Sequence, residues 1–207
     1  MKKAGFIIAA VFMSVFVTGA QAASDDPFKP KEHFKIERPA QLGSTDANAI
    51  YDSIIEQMAN GYAQSGDASA KKFRNWQRFN NAPYLSAGHG NRFLSNYGNK
   101  IASGYLKLRR GETMPVGSIL AKDSFTVTDD KEIFGGALFL MEKLAAGGKP
   151  EFGDWRYAMI MPDGSIFGDS AVAGDESMQF CHDCHVRVKK RDYLYLIPTK
   201  FRAEAAN

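Results

Sequence analysis

The chain has 207 residues and a formal net charge of +3, from 26 basic and 23 acidic residues. This length suits one domain with a sizeable core. A charge so close to neutral gives no indication of binding to nucleic acid or to an anionic membrane surface.

Residues 1–22 predict export from the cytoplasm. Lys2 and Lys3 form a short positive region, residues 5–17 are apolar almost throughout, and Ala-Gln-Ala at residues 20–22 fits a cleavage site. This combination is typical of a secretory signal peptide cut after Ala22, and its apolar run is too short to span a bilayer comfortably. Loss of these two lysines and of no acidic residue lowers the net charge from +3 to about +1. We therefore predict a periplasmic protein without a membrane span.

A proline-containing arm precedes the main domain. Residues 23–44 carry Pro27, Pro30 and Pro39 among charged side chains and show little periodicity, so we expect an extended arm that wraps the domain. Residues 45–207 are expected to fold as a single domain.

Three helices are predicted in the first half of this domain. The first begins near residue 47, with Thr45 or Asp46 as its N-cap, and ends between residues 61 and 66, because apolar side chains recur at helical spacing from residue 50 to residue 58. The second spans residues 68–79, where three aromatic side chains share one face. The third spans residues 91–108, where apolar side chains are again in register.

The second half of the domain predicts an antiparallel sheet. Strands are predicted over residues 118–127, 137–144, 155–161, 166–167 and 193–197. Turn signals separate the first three of them, and such short connections imply an antiparallel meander. The fold class is therefore α+β: mainly antiparallel β-sheet, with about three helices packed N-terminally and a C-terminal segment that carries the motif described next.

The most specific signal is the sequence Cys-His-Asp-Cys-His at residues 181–185. Two thiols three positions apart, followed at once by a histidine, form the attachment signature of a c-type haem. The sulfurs can form thioethers with the two vinyl groups of one porphyrin, and His185 can ligate the iron. We predict one haem c, held by Cys181 and Cys184, with His185 rather than His182 as the proximal ligand.

Three other interpretations of the two cysteines fit less well. A thioredoxin-like pair normally follows the first strand of a βαβ unit, whereas this pair follows the strand-rich region. A zinc site needs four ligands, usually from two pairs, and the sequence contains no second pair. A disulfide between Cys181 and Cys184 would close a very small, strained loop.

The position of the motif and the predicted strands exclude two common haem folds. Small electron-transfer cytochromes c carry the motif near the N-terminus and take a methionine ligand from far downstream, but no methionine follows Met178. A four-helix cytochrome would fill the chain with helices, whereas residues 115–167 indicate strands. His89, which lies between two glycines, is expected either to bond to the loop backbone or to lie near the haem as a second iron ligand.

Further motifs stand in a fixed order before the haem-attachment sequence. They are Met-Pro-Val-Gly-Ser at residues 114–118, Phe-Leu-Met-Glu-Lys at 139–143, Gly-Asp-Trp at 153–155 with Tyr157 two residues on, and Pro-Asp-Gly at 162–164. Over about residues 70–200, their order and spacing resemble the cytochrome P-460 family of periplasmic haem proteins. The resemblance implies a mainly antiparallel β fold and a homodimer.

The resemblance also implies roles for individual residues. Its best-known members oxidise hydroxylamine with a haem that is cross-linked to a lysine, whereas a sister group, the β-type cytochromes c′, lacks the cross-link and binds gases such as nitric oxide. By position, Cys181, Cys184 and His185 match the attachment cysteines and the proximal ligand, and Glu151 matches a distal carboxylate implicated in proton transfer. Candidates for the cross-linking lysine are Lys100, Lys107 and Lys122.

Three functions follow as hypotheses. The first is oxidation of hydroxylamine or a similar small nitrogen compound, with Glu151 as proton acceptor and electrons passed to a periplasmic partner. The second is binding of nitric oxide or another diatomic gas in an apolar pocket. The third is electron transfer by a haem ligated by His185 and His89. The basic residues at positions 187–191 are expected to form a solvated face or to dock an acidic redox partner.

Overall fold

The computed structural model describes residues 33–203. The predicted signal peptide and the first part of the predicted arm lie outside the described residues. Within them, eight strands form one antiparallel sheet: β1 (Gln77–Arg78), β2 (Tyr84–Ser86), β3 (Arg92–Gly98), β4 (Ile119–Val127), β5 (Ile133–Gly135), β6 (Leu138–Lys143), β7 (Trp155–Ile160) and β8 (Ile166–Asp169). Two α-helices, α1 (Ser44–Ala63) and α2 (Gln179–His185), accompany the sheet, together with a 3-10 helix (Lys100–Lys107) and several shorter 3-10 segments. The predicted α+β class is confirmed.

The sheet is a meander with two additional edge strands. Its order is β1-β3-β4-β6-β7-β8, with β2 also paired to β3 and β5 to β4. All the pairings are antiparallel, as the short connections require. The predicted strands over residues 118–127, 137–144, 155–161 and 166–167 correspond to β4, β6, β7 and β8.

One face of the sheet is covered by α1. The buried side chains of this helix recur every three or four residues and therefore form one stripe: Ala47, Tyr51, Ile55, Met58 and Tyr62. They pack on inward-facing residues of β3, β4, β6 and β7, namely Phe93, Tyr97, Phe125, Leu138 and Ile160. We call this the helix-side core.

The opposite face of the sheet is covered by the C-terminal segment that contains α2. Successive side chains of a strand point to opposite faces, so Trp155, Tyr157 and Met159 of β7 lie together on this side. They pack with residues of α2 and of the chain after it, including Phe180, Leu194 and Ile197. We call this the cavity-side core, because the candidate site lies within it.

Two of the predicted helices are corrected by the structure. Residues 68–79 form turns, a short 3-10 helix (Phe73–Asn75) and β1. Their aromatic side chains do not share one face, since Phe73 enters the helix-side core and Phe79 the cavity-side core. Residues 92–98 form β3 rather than the start of a helix. Phe93 and Tyr97, four positions apart, lie on one side of a strand as well as of a helix, so their spacing does not distinguish the two structures.

The predicted last strand and the predicted helix cap are also wrong. Residues 193–197 form no strand. The chain turns there through two left-handed residues, Asp192 and Tyr193, with φ of 46° and 63°, and then buries Leu194 in the cavity-side core. At the start of α1, the N-cap position is occupied by Gly43 without a side-chain cap, rather than by Thr45 or Asp46.

The described part of the arm is fastened to the rim of the sheet. The Ile36 N–H donates to the Gly90 carbonyl (3.0 Å), and the Ala40 N–H donates to the Val127 carbonyl (2.8 Å). Asn91 adds a side-chain hydrogen bond to the Ile36 carbonyl (2.8 Å). These bonds hold the beginning of the described chain beside the cavity. No helix among residues 33–203 is long and apolar enough to cross a membrane.

Candidate functional site

Helix α2 brings the residues of the cysteine motif to one cavity. Cys181, Cys184 and His185 are separated by three and four positions, so they lie on one face of this short helix. All three side chains line the cavity. Both thiols are free rather than joined in a disulfide.

The cavity has a volume of about 480 Å³, within the usual range for small-molecule and cofactor sites. Its walls are largely aromatic and aliphatic side chains from β2, β4, β6, β7, the 3-10 helix (Lys100–Lys107) and the chain after α2: Tyr84, Tyr105, Leu120, Phe139, Met141, Tyr157, Leu194, Tyr195 and Leu196. No carboxylate of the described residues is among the lining groups. The ionisable side chains that reach it are thiols, phenols, imidazoles, one lysine and one arginine.

His185 is held by a bond to the backbone. Its Nδ1 lies 2.7 Å from the Tyr193 carbonyl oxygen, which can only accept, so Nδ1 donates and Nε2 keeps a free lone pair in the neutral ring. Burial lowers the pKa of His185 to about 3, with a smaller contribution from Lys122 in the same direction. A neutral imidazole oriented through Nδ1 is the arrangement that metal-ligating histidines use.

His182 points to a different environment. Its ring packs against Phe152 (4.9 Å between ring centroids) and Tyr193 (5.6 Å), and it does not line the cavity. Its Nδ1 is buried without a hydrogen-bond partner among the described residues. The geometry thus separates the two histidines of the motif.

Lys122 is the one of the three candidate lysines that reaches the cavity. It lies on β4 and belongs to the lining, whereas Lys100 and Lys107 are exposed to solvent on a 3-10 helix. Burial lowers the pKa of Lys122 to about 8, although the thiols of Cys184 and Cys181 act in the opposite direction. A desolvated, partly neutral lysine is a competent nucleophile.

A pair of histidines lies at another part of the wall. His89 lines the cavity and its Nδ1 lies 3.2 Å from the Ser86 hydroxyl oxygen. His33, from the arm, packs against it with ring centroids 5.1 Å apart and also contacts Phe139 and Phe180. Burial is the main cause of the lowered pKa of both rings, and the pKa of His33 falls to about 4. His33 had no signal in the sequence, because only the path of the arm brings it to the cavity.

Glu151 lies outside the cavity. It belongs to a short 3-10 turn (Pro150–Phe152), its side chain is 61% exposed, and its carboxylate pairs with Lys149 at 3.4 Å. It is absent from the lining residues. An exposed ion pair of this kind contributes little to stability. The catalytic role that the resemblance implies for Glu151 stays a prediction.

The residues present fit a haem. A flat, apolar macrocycle needs a largely apolar cavity, two sulfurs on one side and an imidazole whose Nε2 is free, and the cavity supplies all of these. Burial raises the pKa of the Cys181 thiol to about 12, so the sulfur stays uncharged in this apolar setting. Among residues 33–203, no cluster of three or more histidine, cysteine and acidic side chains could instead hold a bare metal ion.

Comparison with known proteins agrees with this geometry. Residues 70–196, more than half of the chain, match the family Cytochrome P-460. The chain belongs to the cytochrome P-460 family. No curated protein matches the chain. The matched region of this P-460 protein includes the sheet from β1 to β8 and the whole of α2, but neither α1 nor the arm that supplies His33. Membership of the family implies a cytochrome, that is, an iron-containing haem protein.

Proposed function

We propose that this cytochrome P-460 protein carries one covalent haem c and oxidises hydroxylamine or a similar small nitrogen compound in the periplasm. Cys181 and Cys184 hold the haem and His185 is its proximal ligand. The observation that supports the enzymatic function is the position of Lys122, because the hydroxylamine-oxidising members use a haem cross-linked to a lysine, and Lys122 lies in the cavity with Cys181 and Cys184.

A haem bound here supplies the iron centre that takes electrons from the substrate. The remaining tasks belong to the protein. The apolar walls exclude water and strengthen every polar contact inside the cavity, and the Tyr193 carbonyl fixes the ring of His185. Oxidation of an N–H or O–H group also releases protons, which need an acceptor.

Two sets of residues could accept these protons. The resemblance favours Glu151, although its carboxylate is exposed and paired with Lys149. The cavity itself offers His33 and His89, whose rings are neutral near pH 7, although the burial that lowers the pKa of each ring also makes it a weaker base. Separate substitution of the carboxylate and of the imidazoles distinguishes these acceptors.

The test compares hydroxylamine turnover in the wild type and in Lys122→Met, with Lys107→Met as the matched control on the exposed 3-10 helix. We expect the wild type and the control to turn over hydroxylamine, and Lys122→Met to keep its thioether-bound haem but to lose most of its turnover, because the bond between the lysine and the haem would be absent. Equal turnover in Lys122→Met would remove Lys122 from the mechanism. A wild type without turnover would refute the enzymatic proposal.

Gas binding is the second candidate function, and the absence of any carboxylate among the described lining residues favours it. Nitric oxide or carbon monoxide needs only an apolar pocket and an open iron position. A five-coordinate ferrous haem without a lysine bond would support this alternative. A low-spin ferrous spectrum would instead indicate that His89 or His33 fills the sixth position and that the protein carries electrons.

The expected homodimer and the periplasmic location stay predictions. Sedimentation of the mature protein tests the dimer, and the N-terminal sequence of protein recovered from the periplasm tests cleavage after Ala22.

A further inference from the structure

We propose that an acidic electron-transfer protein docks on a basic face beside the mouth of the cavity. This face consists of Arg109, Arg110, Arg187, Lys189 and Lys190, all exposed. The proposal rests on the proposed function in one respect: electrons that the haem takes from a substrate must leave to a partner. It specifies where that partner binds and what charge it carries.

Two distant segments of the chain build the basic face. Arg187, Lys189 and Lys190 lie on a 3-10 helix (Val186–Arg191) that continues directly from α2. Arg109 and Arg110 follow a 3-10 helix some 80 residues earlier. The Gly111 N–H donates to the Lys190 carbonyl oxygen at 2.7 Å, so the two backbones are in direct contact. The fold therefore places Arg109 and Arg110 beside the basic residues that are close together in the sequence, Arg187, Lys189 and Lys190.

The basic face adjoins the cavity. Arg187 is exposed and also belongs to the lining, and it follows the attachment cysteine Cys184 by three residues. Tyr195, another exposed lining residue, donates from its hydroxyl to the Cys184 carbonyl oxygen at 3.1 Å. A partner on the basic face would therefore approach the side of the cavity that holds the attachment cysteines.

The positive charge of this face is not neutralised by the described part of the chain. No acidic residue among residues 33–203 forms an ion pair with any of its five members. The nearby Asp192 is buried and paired with Lys143. Glu112 accepts a hydrogen bond from the Arg109 backbone N–H, and Asp183 accepts one from Gln179. By count, basic residues exceed acidic ones here, so the local potential is positive.

Arg156 is a structural cation and differs in this respect from the residues of the basic face. Its guanidinium is mostly buried and is surrounded by the carboxylates of Asp67, Glu142 and Asp169, at 2.9, 3.3 and 2.6 Å. Exposed and unpaired charges stabilise a fold little, but they attract oppositely charged partners and raise association rates by 10- to 1,000-fold. Because salt screens such attraction over about 10 Å, docking should weaken as ionic strength rises.

The test uses two charge-reversed double variants of the haem-loaded protein. The first, Lys189→Glu with Lys190→Glu, alters the basic face. The control, Lys71→Glu with Lys72→Glu, makes the same charge change at two exposed residues next to Phe73 of the helix-side core, on the other side of the sheet. Binding of plastocyanin, an acidic electron-transfer protein used as the probe, is measured by fluorescence anisotropy at low and high ionic strength. Reoxidation of the dithionite-reduced haem by plastocyanin is followed by stopped flow.

We expect the wild type and the control to bind and reduce plastocyanin with a steep salt dependence. The first variant should lose about tenfold or more in both measurements at low ionic strength, together with most of its salt dependence. Equal losses in both variants, or a wild type insensitive to salt, would overturn the proposal. Because dithionite supplies the electrons, the result does not depend on hydroxylamine turnover, and a failure of the proposed oxidation is recognised separately.

Discussion

Asp192 is predicted to stabilise the part of the cavity wall that carries His185. Its carboxylate is almost fully buried and accepts hydrogen bonds from Lys143 Nζ (2.6 Å), the Met114 backbone N–H (2.8 Å) and Trp155 Nε1 (3.3 Å). The next residue, Tyr193, supplies the carbonyl that orients His185. One side chain therefore ties β6, β7 and the chain after α2 together at the site.

Asp192→Asn is the sharpest perturbation of this arrangement. Asparagine tolerates the left-handed backbone at this position (φ 46°). The variant removes the charge and also part of the hydrogen bonding, because the amide nitrogen cannot accept and the two carboxylate oxygens both accept from donors. Lys143, whose side chain is only 11% exposed, would then be a buried cation without a counter-ion. Breaking a buried pair from one side typically costs 3–5 kcal/mol. We expect the free energy of unfolding to fall by about 3 kcal/mol, since the Gly153 carbonyl still accepts from Lys143 Nζ.

The assay is urea unfolding of the haem-loaded protein, with the free energy of unfolding obtained by linear extrapolation. The double variant Asp192→Asn with Lys143→Met removes the unpaired cation as well and should recover at least about 1 kcal/mol of the loss. A loss below about 1 kcal/mol in Asp192→Asn, or a double variant less stable than the single one, would refute the reasoning that an uncompensated charge is the cause.

Three further predictions concern other parts of the molecule. Burial raises the pKa of Asp123 to about 7; a carboxyl whose pKa is higher in the folded than in the unfolded protein stabilises the fold at low pH, and this contribution is lost as the pH rises through 7. The free energy of unfolding of Asp123→Asn, measured by urea unfolding, should therefore rise by about 2 kcal/mol relative to that of the wild type between pH 5 and pH 8. A difference between the two proteins that stays constant with pH would contradict this. His185→Ala should change the coordination spectrum of the iron while His182→Ala leaves it nearly intact; the reverse would exchange their roles. Glu151→Gln should keep the resting spectrum but slow hydroxylamine turnover by about 100-fold or more if this carboxylate is the proton acceptor, and unchanged turnover would exclude it.

The β-meander could be predicted because its signals are local. Turn sequences such as Pro-Asp-Gly at residues 162–164 punctuate alternating apolar runs, so β4, β6, β7 and β8 fall where they were expected. The strand β3 could not be recognised in the same way, because Phe93 and Tyr97 satisfy helical and strand spacing equally. Its identity is fixed by pairing with β4, for example Phe93 with Phe125, and such long-range pairing leaves no local trace.

Some residues of the candidate site could likewise be predicted from local sequence, and others could not. Cys181, Cys184 and His185 are neighbours in the sequence, and the chemistry of haem attachment requires that spacing. Lys122 and His33 reach the cavity only through tertiary structure, from β4 and from the arm that hydrogen-bonds beside Gly90. The sequence offered three candidate lysines for one position, and burial distinguishes them. Glu151 is the opposite case: its position in the sequence matches the distal carboxylate of the family, but its side chain lies on an exposed turn outside the cavity.

Mass spectrometry of the denatured mature protein, followed by peptide mapping, tests the proposed haem chemistry at the residues themselves. We expect one haem that denaturation does not release, found on a peptide that contains Cys181 and Cys184 and joined through a further bond to the peptide that contains Lys122. Recovery of free haem from the denatured wild type would contradict covalent attachment. A haem on the cysteine peptide alone would contradict the role of Lys122 and, with it, the assignment of this cavity to hydroxylamine oxidation.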